Sequence, residues 1–368
     1  MASDPCGHPA LQGLHGAFVA PLGMSVTTKL FPLFGASKFS ASNEILLPPF
    51  GDWNTSLTSP IMPLPWERKE SKLHWRGPAL GGHNTKNNWP RFHRHRFVSM
   101  LNASEVEVAE GMLHAGNEST VGLAHVGNFR LLPGNEYALE SEKWGRMAEW
   151  VAGWADVGFT DLLCDTDWGL RKDGGCDYNG DSFSIAAPDK AQVVEGRYKY
   201  TAVLDGDSGD SDTTFINHLS AGTVVLKASI YKQWYDSRIT PWLHFVPMDN
   251  TFVDMYGIME FFLGSQASAT SEDYPHLKVE APAHEHHFHN TNNEIDKRQK
   301  NRIKRKEDSH DETAMKISRA GQEWAEKVLR KEDMLLYMYR LVLEYARIID
   351  DRRAGLGWVG DLLKEEEK

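Results

Sequence analysis

The chain has 368 residues, of which 41% are hydrophobic and 25% charged. The balance is ordinary for globular proteins and excludes a fully disordered chain, and the length suggests two domains. A formal net charge of −11 excludes a protein that coats nucleic acid through overall basicity.

There is no run of about 18 apolar residues, so no membrane span is predicted. The start, MASDPCGHPALQG, lacks the basic and apolar segments of a signal peptide. Residues 1–68 are rich in Pro, Gly and Ser, with short apolar runs such as LFPLFG and EILLPPF. They read as loops and short strands, the tail of a domain rather than a whole one. KLHWR (72–76) reads as a strand running into GPALGG, and 87–115 as a helix followed by mixed structure. Over 143–157, Trp144, Met147, Trp150, Val151 and Trp154 recur at helical spacing, a core-facing stripe. The twelve tryptophans hint at stacking or carbohydrate contact, although buried core is the blander use.

Cys164 and Cys176 flank a polar, Gly-rich loop that could close a disulfide, and Cys6 is left over. Three N-x-[ST] sequons start at Asn54, Asn102 and Asn117. Together these lean towards a secretory lumen, and the missing targeting segment would then make this chain a truncated one.

The stretch from Tyr198 to Gly264 is the most orderly. RYKYTAVLDGD reads as a buried strand ending in a Gly/Asp turn, TTFINHLSAG as a helix with a Gly stop, and TVVLKAS as a strand. PWLHFVPM reads as a short strand and DMYGIMEFFLG as a short helix. This alternation predicts an α/β domain with a parallel sheet. Residues 265–312 hold a His cluster (His284, His286, His287, His289) and a basic run, and read as an exposed, disordered insertion. Amphipathic helices end the chain, with Ile317, Gly321, Trp324 and Val328 on one face and Met334, Met338, Leu341 and Tyr345 on another.

Ligands of open α/β sheets bind beyond the carboxyl ends of the strands. The turn DGDSGDSDTTF is therefore the first candidate site, with Asp205 and Gly206 at its start. Its four aspartates leave three readings open: a nucleotide edge, a divalent-cation site, or a plain acidic turn. WRGPALGG with WPRFHRHRF is the second candidate. There Arg76, Arg91, Arg94 and Arg96 offer forks that match phosphate oxygens, while Arg94 could equally pair with a carboxylate and support the fold. Lys227 ends a strand where its ammonium could reach a diphosphate. His244 sits among apolar residues, more in the manner of a core histidine. The His cluster could bind Zn²⁺, and the basic run could be a nucleic-acid patch; a solvated linker explains both.

Five segments, in this order, resemble glycosyltransferase family 90, which includes fungal capsule-associated xylosyltransferases and animal protein O-glucosyltransferases. They are CGHPALQGLHGAF, FPLFGASKFSASNEILLPP, LHWRGPALGGHNTKNNWPRFHRHRF, the run from YKYTAVLDGD to PWLHFVPM, and QEWAEKVLRKEDMLLYMYRLVLEYAR. The fungal members are the most similar.

The resemblance implies a GT-B fold. Residues 1–68 would be the remnant of an N-terminal, acceptor-side domain, and 69–264 a Rossmann-like UDP-sugar-binding domain. Residues 265–312 would be the insertion and 313–368 the C-terminal helices. It implies transfer of xylose or glucose from a UDP-sugar to a hydroxyl on a glycan or glycoprotein, in the Golgi lumen. No metal or other cofactor and no nucleic acid would take part. Membrane association would run only through a segment absent from this chain. The donor site carried over is Arg76, Gly77, Pro78, Arg94, Lys199, Asp205, Gly206, Thr214, Lys227 and His244.

Three departures weaken the implied activity. Pro78, Ala79 and Leu80 stand where relatives place hydroxyl residues, and Thr214 stands where they place an arginine facing the diphosphate. The catalytic base of relatives lies in an Asp-x-Pro stretch upstream of the first block. Asp4 before Pro5 sits within that block and is not assigned the role, so the catalytic residue is unknown. The alternative is an inactive family member that binds a sugar nucleotide or a partner glycosyltransferase.

Overall fold

The computed structural model describes residues 7–21, 32–49, 64–115, 127–143, 145–166, 169–171, 176, 183, 185–186, 196–206, 212–265 and 309–353. Its centre is a sheet of five parallel strands: β1 (Glu70–Gly77), β2 (Ala155–Phe159), β3 (Tyr198–Leu204), β4 (Val224–Ala228) and β5 (Val246–Pro247). Their spatial order is β5-β4-β3-β1-β2. This is a mixed α/β architecture compatible with a Rossmann-like fold. The helices are α1 (His93–Met100), α2 (Ala103–Ala115), α3 (Met147–Trp154), α4 (Asp212–Ser220), α5 (Met255–Leu263), α6 (Asp311–Val328) and α7 (Lys331–Ile349).

Every residue of β3 and β4 is buried, because helices cover both faces of the sheet there. On one face Leu73, Trp75, Tyr200, Ala202, Leu204 and Leu226 pack with Phe97, Trp150, Trp154, Tyr256 and Phe262 from α1, α3 and α5. On the other, Val203 and Val225 meet Phe215 and Leu219 of α4, Ala325 of α6 and Met334 of α7. The alternation along β3 is what divides the core into these two clusters. Met147, Trp150, Val151 and Trp154 of the predicted stripe are core, as their spacing predicts, while Trp144 lies outside the described residues. The helix of the stripe, however, stops at Trp154, and β2 begins at once with Ala155.

The described parts of residues 1–68 bury themselves against this domain. Ser37–Phe39 pairs antiparallel with Tyr231–Gln233. Leu11 and Ala17 pack with Ile230, and Trp66 joins the main core. The insertion expected over 265–312 is shorter at its C-terminal end. Residues 266–308, with the His cluster and the basic run, lie outside the described residues, but α6 already starts at Asp311. That carboxylate accepts from Lys199 Nζ (2.7 Å) and Trp66 Nε1 (3.1 Å), so the junction is built into the fold.

Cys164 and Cys176 form a disulfide, with Cα atoms 5.9 Å apart and the two cysteines twelve positions apart in sequence. Reducing it frees a loop of that length, which should cost about 2–3 kcal/mol of stability. Urea melts with and without a reductant, compared with Cys164→Ser/Cys176→Ser, would measure this. A cost below about 1 kcal/mol would mean that the surrounding packing alone holds the loop.

Candidate functional site

In a parallel sheet of order β5-β4-β3-β1-β2, the strand order reverses between β1 and β3. The carboxyl ends of the strands at such a reversal are the position at which open α/β sheets bind ligands. Two turns meet at this point, Gly77–Pro78 after β1 and Asp205–Gly206 after β3. Arg94, from the first turn of α1, ties them together. Its Nε donates to Asp205 O (2.7 Å), Nη1 to Pro78 O (2.9 Å) and Nη2 to Leu204 O (3.4 Å). The guanidinium also lies 5.7 Å from the Trp75 ring centre. Arg94, expected as a donor-binding cation, is thus spent on backbone carbonyls and shapes the turns.

Asp205 is fully buried. Its carboxylate accepts from Ser229 Oγ (2.5 Å), Ile230 N (2.8 Å) and His15 Nε2 (3.3 Å). His15 can donate there because its Nδ1 accepts from Ala17 N (3.3 Å). The His15 ring stacks on His93, with centroids 3.8 Å apart and planes within 5°. His93 Nε2 donates to Asp205 O (2.9 Å), and burial, with His15 adding to it, holds its pKa well below the ordinary value. Residues 9–19 are clamped over the end of β3 by these contacts. The fit is close: a Cβ on Gly16 would stand 2.0 Å from Gly81 O. Gly81 and Gly82 themselves hold φ of +116° and +132°, a region open to glycine, so the GPALGG turn can pass under the clamp.

Beside this clamp, at the carboxyl ends of β4 and β5, lies a cleft of about 170 Å³. Lys227, Ser229, Tyr231, Lys232, Asp236 and Asn250 give it its polar groups. Lys227 Nζ is caged: it donates to Tyr235 Oη (3.3 Å) and Asp236 Oδ1 (3.4 Å) and lies 4.8 Å from the centre of each of the stacked Phe215 and Tyr235 rings. Lys232 is exposed on the cleft wall. With Lys227 paired to Asp236, the Lys232 ammonium, the hydroxyls and the Asn250 amide are left to hold an anion that carries hydroxyl groups. Among the described residues no three His, Cys, Asp or Glu side chains gather as a metal would need.

The expected donor residues therefore divide. Gly77, Pro78, Asp205, Gly206 and Lys227 gather at the carboxyl edge of the sheet. Lys199 does not: as the second residue of β3 it lies roughly 20 Å away, at the opposite edge. There its ammonium serves Asp311 and the Trp66 ring. Arg76 stands near the carboxyl end of β1, but its guanidinium folds back over the sheet. It bonds the carboxylate of Asp156 and donates to Asp156 O (2.7 Å) and Trp75 O (3.0 Å). The same carboxylate takes Tyr198 Oη (2.6 Å), and this polar strip keeps the Asp156 pKa low despite burial. His244 is a core histidine. It is buried, its Nδ1 accepts from Thr240 N (3.0 Å), and its ring stacks on Trp324. The Thr214 side chain and residues 207–211, the acidic turn, lie outside the described residues.

His15, His93, Ser229, Lys232, Asp236 and Asn250 were not foreseen as site residues. His15 lies inside the CGHPALQGLHGAF block, and Ser229 is the first residue after a β-branched strand. Both positions carry a signal, but neither names the partner. No family model matches the sequence, and no curated protein matches it.

Proposed function

We propose that this chain is the nucleotide-sugar-binding part of a glycosyltransferase of family 90 type and GT-B plan. Its ligand is a UDP-sugar, and the reaction is transfer of xylose or glucose to a glycan or protein hydroxyl. One observation carries the reading. Glycine-bearing turns meet at the reversal of strand order, beside a cleft with two lysines. The cleft takes up one part of such a donor, a phosphate or a sugar ring, and the remainder lies along the strand ends. The five-segment resemblance supports the same reading.

A second reading, binding without efficient transfer, is favoured by the cations. Arg76, Arg94 and Lys199 are turned to carboxylates and carbonyls and Lys227 is held by Asp236, so among the described residues that line the cleft Lys232 is the exposed cation. Transfer also needs a base for the acceptor proton and positive charge on the leaving diphosphate. Calorimetry with UDP and UDP-sugars, beside a transfer assay, separates the two readings. UDP should bind, and Lys232→Ala should weaken binding about tenfold, the loss of one charge-assisted contact. Binding without turnover selects the second reading. No UDP binding at millimolar concentration would remove both.

A further inference from the structure

A second cavity, of about 290 Å³, lies at the edge of the sheet where β1 begins. Lys69 is in its wall, one residue before β1 and roughly 25 Å along that strand from the turn at Gly77. The Lys69 side chain is buried, and among the described residues its ammonium has one acceptor, Ala221 O (2.8 Å), just past the end of α4. An ammonium carries three N–H donors, and no carboxylate among the described residues pairs with this one. Burial lowers its pKa to about 8. Helix α6 brings Ser318 and Arg319 to the same cavity. Ser318 is buried, while Arg319 is exposed and makes no ion pair among the described residues. Gln322 beside them donates to Ser220 O (2.9 Å), and Trp66 and Met315 add apolar wall. Glu67 is the one carboxylate among the lining residues, and it is exposed. In a chain of net charge −11, two cations without a carboxylate partner in one cavity stand out.

We propose that this cavity binds a small phosphate monoester, with its phosphate on Lys69, Arg319 and Ser318 and its carbon chain against Met315 and Trp66. A buried ammonium is costly without a counter-charge, and one carbonyl leaves most of that cost standing. An anion in the cavity supplies what is missing. Phosphate suits the donors better than carboxylate does. A carboxylate is satisfied by one guanidinium fork, whereas an ammonium, a guanidinium and a hydroxyl carried by two separate elements match an anion with three free oxygens. The volume is near the lower end for organic ligands, about 300 Å³ upwards, so the carbon chain is short. This site is independent of the UDP-sugar reading, because the cleft of Lys227 and Lys232 lies at the opposite edge of the sheet.

Calorimetry on the full chain with glycerol 3-phosphate tests the proposal, with succinate and glycerol for comparison. Glycerol 3-phosphate should bind one to one with a dissociation constant below about 1 mM, succinate at least about tenfold more weakly, and glycerol not at all. Arg319→Gln, at an exposed position, should weaken binding about tenfold. Lys69→Met should abolish it. That variant also removes the bond to Ala221 O, so a second readout uses the parent chain: acetylation by acetic anhydride at about pH 8, followed by peptide mass spectrometry. Glycerol 3-phosphate should slow acetylation of Lys69 and leave that of the exposed Lys316 unchanged. Absence of binding at about 10 mM overturns the proposal. So does binding that Arg319→Gln leaves intact, acetylation of Lys69 that the ligand does not slow, or succinate binding as tightly as the phosphate. Loss of binding in Lys232→Ala would place the anion in the other cleft and also overturn it.

Discussion

Between about pH 8 and pH 5 the fold should lose about 4 kcal/mol of stability through two imidazoles, His95 and His218. The His95 ring sits among Trp89, Phe92, Phe159 and Phe183, at centroid distances of 5.1–6.0 Å. Burial first, and Arg94 second, push its pKa down to about 3. His218, half-buried on α4 beside Thr201, is pushed down to about 4 by the desolvation of its ring and then by His74. In the unfolded chain both titrate near 6.5. The unfolded chain therefore binds more protons than the folded one once the pH falls below that value. Stability is full above about 6.5 and falls by about 1.4 kcal/mol per pH unit for each ring until its folded pKa is reached. His93 shifts in the same direction and steepens the loss. Urea denaturation at the two pH values measures it. His218→Gln should remove about 2 kcal/mol of the difference. A profile flat across this range would mean that the rings are hydrated.

Asp205→Ala should cost about 3–5 kcal/mol, as expected when one partner of a buried charged cluster is removed. Three donors lose their acceptor at once: Ser229 Oγ, Ile230 N and His15 Nε2. Ser229 can turn to the cleft, which it lines. Ile230 N and His15 are enclosed and cannot, so their desolvation is left uncompensated. Ser229→Ala, which removes one donor and leaves the acceptor satisfied twice, should cost only about 1 kcal/mol. Denaturant midpoints of the two variants give the comparison. If Asp205→Ala melted within about 1 kcal/mol of the parent, the clamp would be a contact without energetic weight.

The strands and helices of the centre were legible because their signals are local. YKYTAVL and TVVLK are β-branched and aromatic runs bounded by Gly and Asp, and the parallel sheet follows from their alternation with helices. Strand β2 was not legible. ADVGF follows the tryptophan helix without a turn residue between them, so helical spacing ran on through it. The places of Gly77, Asp205 and Gly206 at strand ends were legible because the runs before them are strand-like and end in Gly and Asp. The cations were not. A sequence shows that Arg76, Arg94 and Lys199 are charged, but not that Asp156, two turn carbonyls and Asp311 lie close enough to claim them. These pairings join residues 80, 111 and 112 positions apart. Helix α7 was half legible: Met334, Met338, Leu341 and Tyr345 were read as one face, while the apolar residues from Leu335 to Ile349 on its other side were passed over.

The bond from His15 to Asp205 joins residues 190 positions apart, and the strand Ser37–Phe39 finds its partner only at Tyr231–Gln233. On a ribosome that adds roughly 5–20 residues per second, the N-terminal segment waits on the order of 10–40 s before its binding place exists. Throughout that time the parallel sheet is incomplete, and Leu11, Ala17 and Phe18 have no Ile230 to pack against. The segment is thus made well before the strands it docks on and takes its place only after them. Its Gly, Pro and Ser content suits such an interval, since it gives a waiting chain little tendency to form strands of its own.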